Sequence, residues 1–219
     1  MRNVDSTLKR LSDFLGALIG LIVASPVLLF LAAVIKVTSP GPVFYRGVRA
    51  GRGGHPFRIF KFRSMVQNAD RLGGPSTSGD DPRLTSIGRA MRRYKLDELP
   101  QLLNVLIGEM SFVGPRPEVL SEVAEYTQEQ RQVLELRPGI TDWASIWNSN
   151  EEAVLSGAVD PHQAYKQLIQ PTKLKLQLEY YRTCSFSVDL QILISTFIKL
   201  FRHDWTPEPL KEYPKLRSL

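Results

Sequence analysis

FLGALIGLIVASPVLLFLAAVI, residues Phe14 to Ile35, carries no charge from end to end. A helix needs about 20 apolar residues to cross the hydrocarbon core of a bilayer, and this run is long enough. It is too long for a cleaved signal peptide, and no small-residue cleavage site follows it. A core helix is seldom apolar all round over such a length. Ser25-Pro26 stands in the middle. Proline removes one helical hydrogen bond and clashes with the turn before it, so a bend is expected there. The Ser25 hydroxyl is available to satisfy a freed carbonyl.

Positive charge flanks both ends: Arg2, Lys9 and Arg10 before, Lys36, Arg46, Arg49 and Arg52 after. A spanning helix usually carries that excess on its cytoplasmic side only. Charge on both sides suits a re-entrant helix that enters, bends at Ser25-Pro26 and leaves by the same face. A kinked span stays open on residue physics, because proline is common in true spans.

Beyond the run, Thr38-Ser-Pro-Gly-Pro42 is a stiff exit turn. Residues 43–46 and 57–63 read as strands around the Gly51–Gly54 turn, a short β-hairpin. Lys61 and Arg63 fall on one face with Phe57 and Ile59. Such a basic strand suits a solvated face, a nucleic-acid surface or a phosphate clamp. The glycine turn is no P-loop, because it lacks the Gly-Lys-Ser/Thr ending. Residues 66–83 read as a loop long enough to be functional. Its Asp80 and Asp81 are ordinary turn residues, with metal binding as the less common alternative. A short basic helix over 84–94 puts Ile87, Met91 and Tyr94 on its apolar side.

Residues 94–117, YKLDELPQLLNVLIGEMSFVGPRP, hold the densest chemistry. Asp97 suits a helix N-cap, with Glu98 next and Pro100 still inside the first turn. Leu99, Leu102, Leu103 and Leu106 give the helix an apolar face. Arg89, Arg92, Arg93 and Lys95 crowd in just before it. Carboxylates at a helix start beside arginines can be mere caps, can hold a divalent cation, or can attack a phosphorus atom whose charge the cations offset. Further on, helix is expected over 118–135, a turn at Arg137-Pro-Gly-Ile-Thr141, and a cap-and-first-position pair at Asp160-Pro161. Helices over 161–169 and 172–183 follow. A last one over 188–202 carries Ile192, Leu193, Thr196, Phe197, Leu200 and Phe201 toward one side. It is too short to span, and suits the membrane interface or the core.

The formal charge of +6 and the pI near 9.5 point to an anionic partner: nucleic acid, acidic lipid or a phosphorylated metabolite. One cysteine, Cys184, excludes an intrachain disulfide and fits a reducing compartment. His55, His162 and His203 follow no zinc spacing.

Taken together, the motifs resemble the small monotopic phosphoglycosyl transferases, the bacterial sugar transferases that start exopolysaccharide, O-antigen and glycoprotein glycan assembly. The resemblance covers nearly the whole chain. It rests on the apolar run with Ser25-Pro26, Gly41-Pro-Val-Phe44, Phe60-Lys-Phe-Arg-Ser-Met65, Asp81-Pro-Arg-Leu-Thr85, Leu96-Asp-Glu-Leu-Pro-Gln101, Gly108 to Pro117 and Arg137 to Thr141. It implies a mainly α, α/β fold: a re-entrant membrane helix over 1–37, broken at Ser25-Pro26, and a catalytic domain over 38–219 with a short hairpin and membrane-surface amphipathic helices. It implies transfer of a sugar 1-phosphate from a UDP-sugar to polyprenol (undecaprenyl) phosphate, with release of UMP and with Mg2+ as cofactor. Asp97 matches the nucleophile and Glu98 its dyad partner, the two also being candidate metal ligands. Lys61, Arg63 and Arg92 match basic residues of the site, and Pro115, Arg116 and Pro117 a turn that helps bind the nucleotide. The implied partners are the UDP-sugar, the polyprenol phosphate and membrane lipid, without nucleic acid and with a homodimer left open. The implied location is the cytoplasmic face of the bacterial inner membrane. Thr141-Asp-Trp-Ala-Ser-Ile-Trp-Asn-Ser-Asn150 departs from the run frequent in the family, and Gly47 stands where Gln is frequent. These departures bear on the sugar rather than the reaction.

Readings from other classes make distinct predictions. A membrane-tethered nucleic-acid-binding protein would bind strands with a steep salt dependence. A lipid-surface scaffold without catalysis would be indifferent to Asp97→Asn. A two-carboxylate glycosidase is disfavoured, since adjacent Asp97 and Glu98 do not easily flank a glycosidic bond at about 5 Å or more.

Overall fold

The structure is a computed structural model that describes residues 7–69, 72–74, 76–202, 204–214 and 216. Arg2, His203 and part of the 66–83 loop, all named above, lie outside the described residues.

The apolar run is the body of one long helix, α1 (Thr7–Thr38), with Pro26 inside it. Pro26 cannot donate to the Ile22 carbonyl, and the Ser25 hydroxyl donates to that oxygen instead, at 2.8 Å. Both halves of α1 pack on the rest of the chain. Near its start, Arg10 donates to the Val105 and Leu106 carbonyls at 2.6 and 2.8 Å. Ala17 is fully buried among Phe57, Ile59, Val105 and Met110. A Cβ added at Gly16 would stand 2.8 Å from the Phe112 ring, so only glycine lets the helix come this close. Toward its end, Leu31 and Ile35 are buried with Phe62 and Met91.

The expected hairpin forms, but as two short ladders. Strand β1 (Phe44–Tyr45) pairs antiparallel with β4 (Lys61–Phe62), and β2 (Val48–Ala50) with β3 (Pro56–Arg58). The break falls at Phe60, whose N–H turns to the Asn104 side-chain oxygen at 2.8 Å. Asn104 in turn donates to the Arg58 carbonyl at 3.0 Å and to Glu109 at 2.7 Å. One buried amide therefore fixes the kink that brings Lys61 round to the carboxylates.

Helix α2 (Ser86–Arg93) is capped by Thr85, whose hydroxyl accepts from the Gly88 N–H at 3.0 Å. Met91 is buried as expected, but Tyr94 lies past the helix end and points to solvent. Asp97 departs from its expected place. It is not the cap of the apolar helix but lies in a 3-10 turn, Leu96–Glu98, entered through Lys95 at φ 56°. Helix α3 (Gln101–Ile107) begins only after Pro100 and stops at Gly108, φ 94°. Backbone bonds over this stretch run only three residues back, from Leu99 to Leu96, Leu102 to Leu99 and Leu103 to Pro100, so the regular helix starts later than the sequence predicts.

Strand β5 (Ser111–Val113) pairs in parallel with β6 (Gly139–Thr141), where the sequence predicts a turn. Three-residue strands carry no legible period. The helix expected over 118–135 is α4 (Leu120–Ala124) followed by a 3-10 run, Gln130–Glu135. Between them Thr127 and Gln130 bond each other's backbone N–H through their side chains, at 2.9 and 3.3 Å, which starts a new helical segment. Helices α5 (Trp143–Trp147) and α6 (Glu151–Val154) follow. Asp160 caps α7 (Pro161–Ala164) as its sequence indicated. A π turn, Tyr165–Ile169, joins α7 to α8 (Gln170–Thr183), so the two expected helices are continuous. Pro171, which lacks an N–H, sits at that junction. Helix α9 (Phe186–Phe201) completes the core, with Ile192 buried against Val113, Trp143, Leu176 and Tyr180.

Candidate active site

The 3-10 turn presents two carboxylates in opposite environments. Glu98 is fully engaged. Lys61 donates to its Oε1 at 2.8 Å. Arg116 forks onto both oxygens, with Nη1 3.1 Å from Oε2 and Nη2 on Oε1. Burial opposes ionisation of Glu98, but Arg116 and Lys61 outweigh it and hold the carboxyl well below its ordinary range. Asp97 is 4% exposed, and its Oδ1 is buried without a hydrogen-bond partner. Burial pushes Asp97 up, opposed by the charge of Lys61. Lys61 itself is pulled down by burial and by the like charge of Arg116, against Glu98.

The turn carrying Arg116 is held from behind. Its backbone N–H donates to Asp142 Oδ2 at 3.2 Å, and Gln177 donates to the same oxygen at 2.9 Å. Asp142 also caps α5 through the Ser145 N–H at 2.6 Å. Pro115, Arg116, Pro117 and Glu118 line a small surface recess together with Val123 and Tyr126. Arg92 donates to the Ser64 hydroxyl and to Glu152, both at 3.0 Å, and its charge favours the ionised form of Asp97.

Lys61, Arg92, Arg116, Asp97 and Glu98 are thus brought together. Arg63 is not. Its guanidinium donates to the Ser39 and Pro40 carbonyls at 2.7 Å each and ties down the exit of α1. Ser25 and Pro26 remain within α1. Asp81 pairs with Arg83 at 2.7 Å, consistent with a turn residue. Asp142, Asn104 and Glu152 were not singled out from the sequence. Asp142 was findable, as an aspartate just ahead of an apolar helical run. Asn104 and Glu152 give no local signal.

Among the described residues no three His, Cys, Asp or Glu side chains gather to hold a metal. The unpaired Asp97 Oδ1 still fits Mg2+, which commonly takes one or two carboxylates and completes its shell with water and substrate phosphate.

Apolar surface lies on two helices. An 18-residue window of α1 reaches a mean hydropathy of 2.8 with only 11% of it buried, so the helix is long and apolar enough to cross a membrane. On α9 the sequence reading put six residues on one side. The structure splits them: Ile192 turns inward and Leu193, Phe197, Leu200 and Phe201 outward. The outward face of α9 and that of α1 remain exposed together with Ile107.

The family model described as bacterial sugar transferase matches residues 4–203. The chain is 37% identical over 211 residues to the UDP-glucose:undecaprenyl-phosphate glucose-1-phosphate transferase of Escherichia coli (strain K12), covering 92% of this chain and 42% of that protein. It is 38% identical over 193 residues to the uncharacterized sugar transferase EpsL of Bacillus subtilis (strain 168), covering 88% and 87%. It is 36% identical over 192 residues to the UDP-N-acetylgalactosamine-undecaprenyl-phosphate N-acetylgalactosaminephosphotransferase of Aeromonas hydrophila, covering 85% and 41%. The chain therefore spans less than half the length of the first and third relatives and most of the second. It belongs to the bacterial sugar transferase family.

Proposed function

We propose that the chain transfers a sugar 1-phosphate from a UDP-sugar to undecaprenyl phosphate, releasing UMP, at the cytoplasmic face of the bacterial inner membrane. The product would start exopolysaccharide, O-antigen or glycoprotein glycan assembly. The observation that carries the reading is a buried carboxylate with an unpaired oxygen, Asp97, beside a carboxylate already neutralised by two cations.

In the first step an Asp97 oxygen bonds to the β-phosphorus. The bond from that phosphorus to the bridging oxygen breaks, and UMP leaves with the electron pair. In the second step a phosphate oxygen of undecaprenyl phosphate attacks the same phosphorus, and Asp97 leaves as a carboxylate. Lys61, Arg92 and Arg116 offset the diphosphate charge. Glu98 keeps Lys61 and Arg116 aimed at that charge. Mg2+ held by Asp97, and by Glu98 once it gives up a bond to one of its cations, would polarise the diphosphate oxygens. Pro115, Arg116 and Pro117 border the nucleotide.

The re-entrant topology of residues 1–37 finds support in the packing of both halves of α1 on one body. A straight crossing would carry one end about 30 Å from the other. In this reading the exposed faces of α1 and α9 sit in lipid, where one substrate resides.

The test is UMP release by nanodisc-held protein with Mg2+, undecaprenyl phosphate and a panel of UDP-sugars. The relatives' names put UDP-glucose and UDP-N-acetylgalactosamine first. Release with one or two sugars, lost in Asp97→Asn and in EDTA, is expected. No release from any UDP-sugar, or an Asp97→Asn variant as active as wild type, would overturn the reading.

A further inference from the structure

Lys9 and Asp189 form an ion pair, largely buried, that joins the two helices with exposed apolar faces, α1 and α9. Lys9 Nζ also donates to the Val113 carbonyl at 3.1 Å. On the far side the Tyr180 hydroxyl donates to Asp189 Oδ1 at 2.6 Å. One turn along α1, Asp13 accepts from the Phe112 N–H at 3.1 Å. Across the strand pair, the Thr141 and Thr196 hydroxyls bond at 2.8 Å. Phe112 and Val113 belong to β5, which runs straight into Gly114-Pro115-Arg116. Thr141 ends β6, and the next residue, Asp142, holds the Arg116 N–H. Two helices thus grip one strand pair, and the exit of that pair is the turn carrying Arg116.

A buried ion pair is a costly way to join helices, since apolar residues of similar volume often do as well or better. What the ammonium adds is register. Its donors here go to a carboxylate of α9 and a carbonyl of β5, which fixes both relative to α1. We propose that Lys9 and Asp189 are positioning residues that lock the lipid-facing helices to β5 and so keep Arg116 in line with Glu98 and the donor diphosphate. The alignment with the diphosphate rests on the functional reading above; the register does not.

The experiment uses the full chain in nanodiscs, with K9M, K9R and D189N. Lys211→Met, which removes an exposed pair with Glu208, serves as the control. Amide hydrogen exchange over residues 112–118 reads the register. The KM and kcat of UMP release read its consequence. K9M and D189N are expected to speed exchange in that segment and to raise the KM for the UDP-sugar about tenfold, with kcat within about twofold. K9R is expected to restore most of both, and Lys211→Met to change neither. Folded, membrane-bound K9M or D189N with wild-type exchange over 112–118 would overturn the proposal. So would exchange that rises evenly through the chain while KM stays put. If wild type turns over no UDP-sugar, the functional reading fails by itself, and the exchange arm still decides the register.

Discussion

Two buried carboxylate–cation clusters lie a short way apart in this chain, and they differ in what they leave over. Around Glu98, two cations are shared by one carboxylate, both cations are partly exposed, and the neighbouring Asp97 has a buried oxygen with nothing bonded to it. Around Glu118, Lys173 and the Tyr165 hydroxyl close a triangle: Tyr165 donates to Glu118 at 2.8 Å, and Lys173 bonds both of them. No side-chain polar atom of that triangle is left buried and unpaired. The chemistry of the two clusters is alike, so charge alone does not mark a site. An unpaired carboxylate oxygen beside paired cations is what sets the Asp97 cluster apart.

The sharpest way to break this contrast is at Asp97. Asp97→Asn is expected to lower UMP release by more than about a thousandfold, as losses of a nucleophile do, without loss of folded protein by circular dichroism. Lys173→Met tests the other cluster. Removing one partner of a buried pair costs about 3–5 kcal/mol, read as a fall in the urea midpoint, while KM and kcat of the folded fraction stay near wild type. A kinetic defect without a stability loss would erase the distinction between the clusters.

The pH dependence of stability sharpens it further. Burial works against both charges in the Glu118–Lys173 pair, but their mutual attraction prevails: Glu118 is held below its ordinary range and Lys173 well above. The contribution from Glu118 is present above the unfolded carboxylate pKa and lost as pH falls through the lower folded value. That from Lys173 is full below the unfolded lysine pKa and lost as pH rises through the higher folded value. The pair thus stabilises evenly between about pH 5 and pH 10. In a melting series the gap between wild type and Lys173→Met should be flat over that window and narrow outside it.

A smaller effect is expected from Arg116→Lys, which keeps the charge but not the fork. Activity should fall about tenfold to a hundredfold, measured as kcat/KM for the UDP-sugar. The smallest concerns Gln101, 1% exposed with neither amide atom bonded. Gln101→Met should stabilise by about 1 kcal/mol in urea, because it removes an unpaired buried amide. A destabilised variant would mean that the amide has a partner.

Much of the outline was legible in residue order. The apolar run, its Ser25-Pro26 repair and the Asp160-Pro161 cap each follow from interactions spanning four residues or fewer, which a sequence displays directly. The grouping of Asp97 and Glu98 with Lys61, Arg92 and Arg116 came from matched motifs rather than spacing, since the hairpin and the Arg116 turn meet the carboxylates only through long-range packing. Asn104 illustrates the limit. Its side chain joins three segments, and nothing near it in sequence announces that. Arg63 illustrates the converse: a basic residue in a matching motif is taken up by the Ser39 and Pro40 carbonyls at the exit of α1, a contact across more than 20 residues that local spacing does not show. The exposed face of α9 was misjudged because it has more apolar residues than its core side can take.

The close approach of α1 and α3 acts as a depth gauge. Leu102 rests on Gly20, where an added Cβ would meet it at 3.3 Å. Asp97 lies five residues upstream, under about 10 Å along the helical run. The spacing of Asp97 from α1 is therefore set by a bare glycine surface together with the Arg10 bonds to the Val105 and Leu106 carbonyls. A bulkier residue at position 20 would press on Leu102 and push α3 off α1, and under the proposed function that would carry Asp97 away from its lipid-borne acceptor.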